Sequence, residues 1–146
     1  MYQKILVALE NSEHDERLIK EIGDLAHLLK SRLLLVHVAD GWVARHYDDL
    51  KMAESEEMRA DREYLTSTAE RLRQKGVQVD TVLALGDPPS EILKTATNES
   101  CDMIAMTTHG HRLLGDLIFG STIEHVRHAS KVTLLIVRQP VQSHAK

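Results

Sequence analysis

Residues 106–124, MTTHGHRLLGDLIFGSTIE, combine glycines, hydroxyl side chains and basic side chains within a short distance. A glycine has no Cβ, so backbone N–H groups beside it can approach an anion closely. Gly120 opens a predicted helix, whose first N–H groups have no partner inside the helix and whose dipole favours negative charge. This segment is therefore a candidate phosphate site, formed by Gly110, His111, Arg112, Gly120, Ser121 and Thr122.

The same segment also suits a loop and a helix start that bind nothing. Ser121 and Glu124 match the S-x-x-E pattern of a capping box, in which each side chain satisfies a backbone N–H of the other residue. Gly110 would then only allow a turn. The segment lacks the Gly-Lys-Ser/Thr ending of a P-loop and is not a GxGxxG fingerprint. Spacing alone leaves both interpretations open.

The elements around this segment alternate along the chain. Short apolar runs predict five strands, over residues 4–9, 32–40, 77–85, 101–108 and 131–138. Apolar residues at helical spacing predict four helices, which begin after Ser12, near Asp49, after Asp87 and after Gly120. Asp15 completes a capping-box-like pair with Ser12, Pro88 suits a first helical position, and Gly76 is placed to end the second helix.

Alternating strands and helices predict an α/β fold, with a parallel sheet and helices on both of its faces. Ligands of such sheets bind beyond the carboxyl ends of the strands, where neighbouring connections diverge. The loops after the first, second and fourth strands lie there. The last of these, of about a dozen residues, is longer than most loops between a strand and a helix.

Composition indicates one domain of ordinary size. The chain has 146 residues, of which 42% are hydrophobic, and a net charge of -4, which disfavours nucleic acid as a partner. We expect a single domain over residues 1–140 and a short tail over 141–146, with the chain fraying from Gln139 onward. The lone cysteine, Cys101, is expected to be buried, and a chain without a disulfide pair, signal peptide or membrane segment fits the cytoplasm.

The sequence patterns do not favour a metal site or a catalytic site. The nine histidines include the pairs His109/His111 and His125/His128, but without a second cysteine or an H-E-x-x-H pattern no metal site is predicted. His37 is expected to be a hydrogen-bonded core histidine. No nucleophile and base stand out, so we predict no dedicated enzyme and at most slow nucleotide hydrolysis. A solvated helix face is expected for Glu54, Glu56, Glu57, Asp61 and Glu63.

From Lys4 to Arg138 the chain resembles the universal stress protein family. The resemblance rests on KILVALENSEHDE, LLLVHV, GDPPSEIL and CDMIAMTTHGHRLLGDLIFGSTIEHVRHASKVTLLIVR, in this order. It implies an open, Rossmann-like sheet with strand order 3-2-1-4-5 and a homodimer joined through the fifth strand, Val132–Val137. It also implies an adenine nucleotide, such as ATP, with or without Mg²⁺, held at the ends of the first, second and fourth strands.

Family members with an ATP site carry G-x-x-G, nine residues, then G-Ser/Thr. Here Thr107 stands at the first position, and the other three marker positions match. Glu10 stands where ATP-binding members usually have aspartate, and Asn11 follows where glycine is usual. The nucleotide-binding residues that the resemblance and the loop together predict are Ala8, Leu9, Glu10, Val38, Thr107, Gly110, His111, Arg112, Gly120, Ser121 and Thr122.

The expected function is a stress-response binding module that senses or stores an adenine nucleotide and acts through protein partners. The main alternative is an interaction protein that binds no nucleotide, with the same loop closed by its own side chains. A weaker alternative is a flavin-binding module, since related sheets bind flavin at their strand ends. The low aromatic content, 3%, disfavours stacking on a flavin.

Overall fold

The computed structural model of the protein describes residues 1–39, 56–108 and 121–139. The strands in these residues are β1 (Lys4–Ala8), β2 (Arg32–Ala39), β3 (Gln78–Leu85), β4 (Met103–Thr107) and β5 (Thr133–Val137). The helices are α1 (Asp15–Leu29), α2 (Glu56–Gln74), α3 (Pro88–Asn98) and α4 (Ser121–Ala129). Their order along the chain is the predicted alternation.

The five strands form one parallel sheet in the order β3-β2-β1-β4-β5. This arrangement confirms the predicted fold. β1 lies at the centre, where Ile5 pairs with Leu33 on one side and with Met103 on the other. β1, β2 and β4 are largely buried, β4 along its whole length, which explains their continuous apolar runs, whereas the edge strands β3 and β5 are more exposed.

Successive side chains of a strand point to opposite faces of the sheet, so a continuous apolar run makes both faces apolar. Helices cover both of these faces. On the first face α1 and α2 pack over a core that includes Ile5, Val7, Leu33, Leu35, Met103, Ala105 and Val137. On the second face α3 and α4 pack over Leu6, Leu34, Val36, Ile104 and Met106. In the described residues, no helix combines the length and the apolar character needed to cross a membrane.

The predicted helix ends are largely confirmed. Gly76 adopts a φ of 90° and its N–H donates to Arg73 O, while the Val77 N–H donates to Leu72 O, a Schellman arrangement that ends α2. Asp87 caps α3 by accepting from the Ser90 N–H at 3.3 Å, with Pro88 at the first position. Residues 49–55, which the predicted second helix included, lie outside the described residues.

The start of α1 differs in detail from the prediction. The regular helix begins at Asp15, three residues after the predicted cap Ser12. The Ser12 N–H donates to Asp15 Oδ2 at 3.3 Å, but Ser12 Oγ accepts from the His14 N–H at 3.3 Å, and the Asp15 N–H donates to the Ser12 backbone carbonyl at 3.1 Å. Only the Asp15 half of the predicted capping-box-like pair is therefore confirmed, and the turn between Ser12 and His14 precedes the helix.

Candidate functional site

The carboxyl ends of β1 and β4 lie side by side, and the chain leaves them in opposite directions. β1 leads to α1 on the first face of the sheet, whereas β4 leads towards α4 on the second face. Diverging connections between neighbouring strands open a crevice, which is where ligands of such sheets bind. The candidate site therefore centres on the residues that follow these two strands.

Asp15 organises the loop after β1. Its carboxylate is fully buried and accepts hydrogen bonds from three successive backbone N–H groups, those of Glu10, Asn11 and Ser12, at 2.8–3.3 Å. The Tyr64 hydroxyl on α2 donates to Asp15 Oδ2 at 2.6 Å. The backbone donors that make a loop attractive to anions are thus satisfied from within the chain.

Glu10 lies two residues after the end of β1, in the loop that borders the crevice. Its side chain is half-buried, and its Oε2 atom is buried without a hydrogen-bond partner among the described residues. Burial, with a smaller contribution from the charge of Asp15, raises the pKa of the Glu10 carboxyl from 4.5 to about 7. Near neutral pH this side chain therefore interconverts between a carboxylate and a neutral acid that can donate a hydrogen bond.

A second polar group links β1, β2 and α2. His37 places Nδ1 2.8 Å from the Leu9 carbonyl and Nε2 3.3 Å from Asp61 Oδ2. Both neighbours are acceptor oxygens, so either ring nitrogen can donate to its neighbour, and both donate when the ring is protonated. The Asn11 side chain donates to Asp61 Oδ1 at 2.8 Å, with Asn11 held at a φ of 63°. These contacts fix the Leu9 carbonyl and the loop that carries Glu10.

These contacts confirm one prediction and correct another. His37 is a hydrogen-bonded, largely buried histidine, as expected. Asp61 was expected on a solvated helix face, but it is 6% exposed. The reason is its position in the apolar stripe of α2, three residues after Met58 and four before Leu65, which points it towards the sheet. Glu56, Glu57 and Glu63 are exposed, as predicted, and Glu54 lies outside the described residues.

The end of β4 is tied to two distant segments by Gln139. The Gln139 Nε2 group donates to Thr107 Oγ1 at 2.6 Å and to the His14 carbonyl at 2.9 Å. The Gln139 backbone N–H donates to Thr108 Oγ1 at 3.2 Å, and the Thr108 N–H donates to the Val137 carbonyl at 3.1 Å. The expectation that the chain frays from Gln139 is wrong for this residue, because its side chain and backbone bond the end of β4 and the segment before α1.

The structure describes some of the predicted site residues and not others. Ala8 and Val38 are half-buried at the ends of β1 and β2, and Leu9 is buried, with its N–H donating to the Val36 carbonyl. Ser121 is the exposed first residue of α4, and Thr122 is half-buried beside it. The remaining predicted loop residues lie outside the described residues: Gly110, His111, Arg112 and Gly120.

Residues outside the crevice have structural roles. Cys101 is buried, as expected, and burial raises the pKa of its thiol to about 11. Asp102 accepts from the N–H groups of Gln3 and Lys4 at the amino end of the sheet, far from the site. Within residues 1–39, 56–108 and 121–139, no group of three or more histidine, cysteine or acidic side chains is arranged to hold a metal ion.

Asp15, Tyr64 and Gln139 were not among the predicted site residues. The sequence pattern indicated part of the role of Asp15, since an acidic residue three positions after Ser12 is typical of a helix cap. It did not indicate that this carboxylate accepts from three successive N–H groups of the loop after β1. Tyr64 and Gln139 reach partners 49 and 125 residues away along the chain. No local pattern marks such contacts.

Comparison with known proteins identifies the family to which the chain belongs. The family model described as "Universal stress protein family" matches residues 1–138. The chain therefore belongs to the universal stress protein family.

Individual relatives agree with this assignment over nearly their whole length. A universal stress protein of Methanocaldococcus jannaschii is 27% identical over 95% of this chain and 96% of its own. Its solved structure superimposes with a TM-score of 0.83 at 28% identity, covering 96% of this chain and 98% of that one. A universal stress protein of Methanothermobacter thermautotrophicus is 31% identical over 94% of this chain and 97% of its own.

One further solved structure shares the fold and contains a ligand. It is a universal stress protein of Archaeoglobus fulgidus in complex with dAMP, with a TM-score of 0.69 at 20% identity. The alignment covers 92% of this chain and 97% of that one. At this identity the likeness concerns the fold.

Proposed function

We propose that this protein binds an adenine nucleotide in the crevice between β1 and β4, and acts in the cytoplasm as a stress-response binding module rather than as an enzyme. The observation that carries the proposal is the Oε2 atom of Glu10. It is buried at the crevice and has no hydrogen-bond partner in the described part of the chain. Buried polar atoms are usually paired, so an unpaired one at a ligand crevice marks a place for a ligand group.

The chemistry of Glu10 suits the sugar of a nucleotide better than its phosphates. A carboxyl with a pKa of about 7 accepts from, or donates to, a ribose hydroxyl without a full buried charge. A phosphate beside Glu10 and the buried Asp15 would instead meet like charge. We therefore place the phosphates towards the loop that joins Thr107 to Ser121, together with any Mg²⁺ that accompanies them.

The dAMP complex of the Archaeoglobus fulgidus relative supports an adenine nucleotide as the ligand class. ATP with Mg²⁺ is our specific proposal. This specific proposal includes the predicted contacts of the nucleotide with Gly110, Gly120 and the side chains between them.

A second candidate function is interaction with proteins without any nucleotide. Two observations favour it: Asp15 satisfies the backbone donors of the loop after β1, and Gln139 binds the Thr107 hydroxyl. Both are groups that a ligand at this edge of the sheet would otherwise use. In this case the crevice would be closed by the chain itself.

Thermal unfolding with and without millimolar ATP and Mg²⁺ separates the two candidates. A ligand at about 100 times its dissociation constant stabilises the fold that binds it by about 2.7 kcal/mol. For a domain of this size the melting midpoint then rises by about 5–10 °C. We expect this rise with ATP and Mg²⁺, and none with inorganic triphosphate and Mg²⁺. The absence of a rise with ATP, ADP and AMP would show that the crevice takes no adenine nucleotide.

Gly120→Val is the matched variant. It adds a branched side chain at a glycine of the predicted phosphate loop, so we expect it to remove the rise with ATP. Its melting midpoint without ligand reports separately whether it folds. A Gly120→Val protein that folds and still responds to ATP as the wild type does would exclude this loop from the site.

A further inference from the structure

Asp61 on α2 holds both neighbours of Glu10. Its Oδ1 atom accepts from the Asn11 side-chain amide at 2.8 Å, and its Oδ2 atom lies 3.3 Å from His37 Nε2. The other ring nitrogen of His37 lies 2.8 Å from the Leu9 carbonyl oxygen. One buried carboxylate therefore contacts the residue after Glu10 directly and, through one imidazole ring, the residue before it.

These contacts bear on the direction of the Glu10 side chain. The Leu9 carbonyl and the Glu10 N–H belong to one planar peptide unit, so a fixed carbonyl limits the rotation of the Glu10 backbone. Asn11 on the other side has a φ of 63°, a left-handed conformation that its contact with Asp61 helps to hold. The Glu10 and Asn11 N–H groups also donate to Asp15, so the loop keeps backbone hydrogen bonds when Asp61 is changed.

We infer that Asp61 is a positioning residue for Glu10, and that it thereby sets a preference of the crevice for a nucleotide whose sugar carries hydroxyl groups. The inference rests on the proposed function. A glutamate side chain has several rotatable bonds, so it loses less freedom on forming a directed hydrogen bond when its backbone is already fixed. Asp61 itself touches no ligand in this scheme, because its two oxygens face Asn11 and His37.

The test compares ATP with 2′,3′-dideoxy-ATP, each with Mg²⁺, by calorimetry on the full chain. The two nucleotides carry the same base and the same phosphates, so the ratio of their dissociation constants reports the sugar hydroxyls alone. We expect the wild type to favour ATP about tenfold, as one hydrogen bond to a charged group allows. Glu10→Ala should remove this preference.

Two variants remove the contacts of Asp61. Asp61→Leu leaves the Asn11 amide and the His37 ring without this acceptor, and should reduce the preference to within about twofold. Asn11→Gly should reduce it to about threefold, because glycine adopts the positive φ without strain and one contact with Asp61 is lost. Asn11→Gly keeps the inference testable even where Asp61→Leu folds poorly.

A conservative variant and a control separate positioning from a general loss of stability. The side chain of Asp61→Asn can still accept from Asn11, and it can donate to His37 Nε2 when the ring proton is on Nδ1, so the preference should return to within about twofold of the wild type. Asp102→Ala removes an acceptor of the Gln3 and Lys4 N–H groups at the amino end of the sheet. It should lower the melting midpoint and leave the ratio unchanged.

The possible failures are distinct. If the wild type binds neither nucleotide, the proposed function is wrong and the role of Asp61 falls with it. If the wild type binds both equally, nucleotide binding stands and the inference about the sugar is overturned. If the wild type prefers ATP and Asn11→Gly and Asp61→Leu prefer it equally, Asp61 does not position Glu10. A preference that also disappears in Asp102→Ala would follow stability rather than the contacts of Asp61, and would overturn the inference as well.

Discussion

The Tyr64 hydroxyl lies 2.6 Å from Asp15 Oδ2, and this contact joins the middle of α2 to the first residue of α1. Burial, followed by the hydrogen bond to Asp15, raises the pKa of the Tyr64 hydroxyl above its usual value of 10.0. Tyr64 is therefore a neutral donor at every pH at which the protein is expected to fold. The carboxylate that holds three backbone N–H groups is in turn held by a side chain 49 residues away.

Tyr64→Phe should lower the free energy of unfolding by about 1.5–3 kcal/mol, because it removes a hydrogen bond to a charged, buried acceptor. Urea denaturation at pH 7 measures the loss. Tyr2→Phe is the matched control: the Tyr2 hydroxyl lies 3.3 Å from Thr133 Oγ1 in an exposed contact, and its loss should cost less than about 0.5 kcal/mol. Equal losses in the two variants would contradict the importance given to the contact with Asp15.

Glu10→Gln should change how stability depends on pH. The folded protein raises the pKa of Glu10 from 4.5 to about 7, so between these values the native state binds the proton that the unfolded chain has released. Stability from this residue is therefore complete below pH 4.5 and is lost as the pH rises through about 7. A full conversion of the shift would give about 3 kcal/mol, and the partial exposure of Glu10 reduces this to about 1–2 kcal/mol.

Urea denaturation of wild type and Glu10→Gln at pH 5 and pH 8 tests this expectation. Relative to the wild type, Glu10→Gln should gain stability between the two pH values, because a neutral amide carries no buried charge at pH 8. Glu21→Gln, which changes an exposed carboxylate of α1, should follow the wild type at both. A constant difference between Glu10→Gln and wild type would show that Glu10 titrates as an ordinary surface carboxylate.

The fold was predictable because its signals are local. A strand buried on both faces needs a continuous apolar run, so KILVAL and RLLLVHVA could be recognised without knowledge of their neighbours. Gly76 and Asp87 mark helix ends by properties of their own, the freedom to adopt positive φ and a short acceptor side chain. The strand order itself came from the family resemblance.

The polar contacts of the site were less predictable, because their partners are distant. Asp61 illustrates the difficulty: its charge indicated solvent, whereas its place in the apolar stripe of α2 indicated the core. The stripe proved decisive, since His37 and Asn11 supply the partners that a buried carboxylate needs. Those partners lie on β2 and in the loop after β1, so only the assembled sheet brings them together.

Asp61→Ala should destabilise the protein by about 3–5 kcal/mol, because it leaves the His37 ring and the Asn11 amide without their buried acceptor. Glu16→Ala is the matched control. Glu16 pairs with Arg71 of α2 at 3.1 Å, but both side chains are more than half exposed, so we expect a loss of about 0–1 kcal/mol. Guanidinium denaturation of both variants measures the difference. A loss below about 1 kcal/mol for Asp61→Ala would show that the buried pair gains little from its contact.

The sheet ends at β5, where Leu134, Leu135 and Ile136 are only half-buried. We propose, as the family resemblance implies, that two copies of the chain join along this strand. An edge strand with partly exposed apolar residues is a ready pairing surface. Proline substitutions can test the pairing, because proline removes a backbone donor.

Leu134→Pro should convert the dimer to a monomer with little loss of stability, whereas Leu135→Pro should damage the fold itself. The Val137 carbonyl accepts from the Thr108 N–H, so β5 turns the backbone groups of Val137 and Leu135 towards β4 and those of Leu134 outwards. Both variants lose one half-buried leucine, Leu134 from the second face and Leu135 from the first, and they differ further in the direction of the lost N–H. Light scattering after gel filtration gives the mass, and thermal unfolding gives the stability. A monomeric wild type, or a dimeric Leu134→Pro protein, would exclude this strand as the interface.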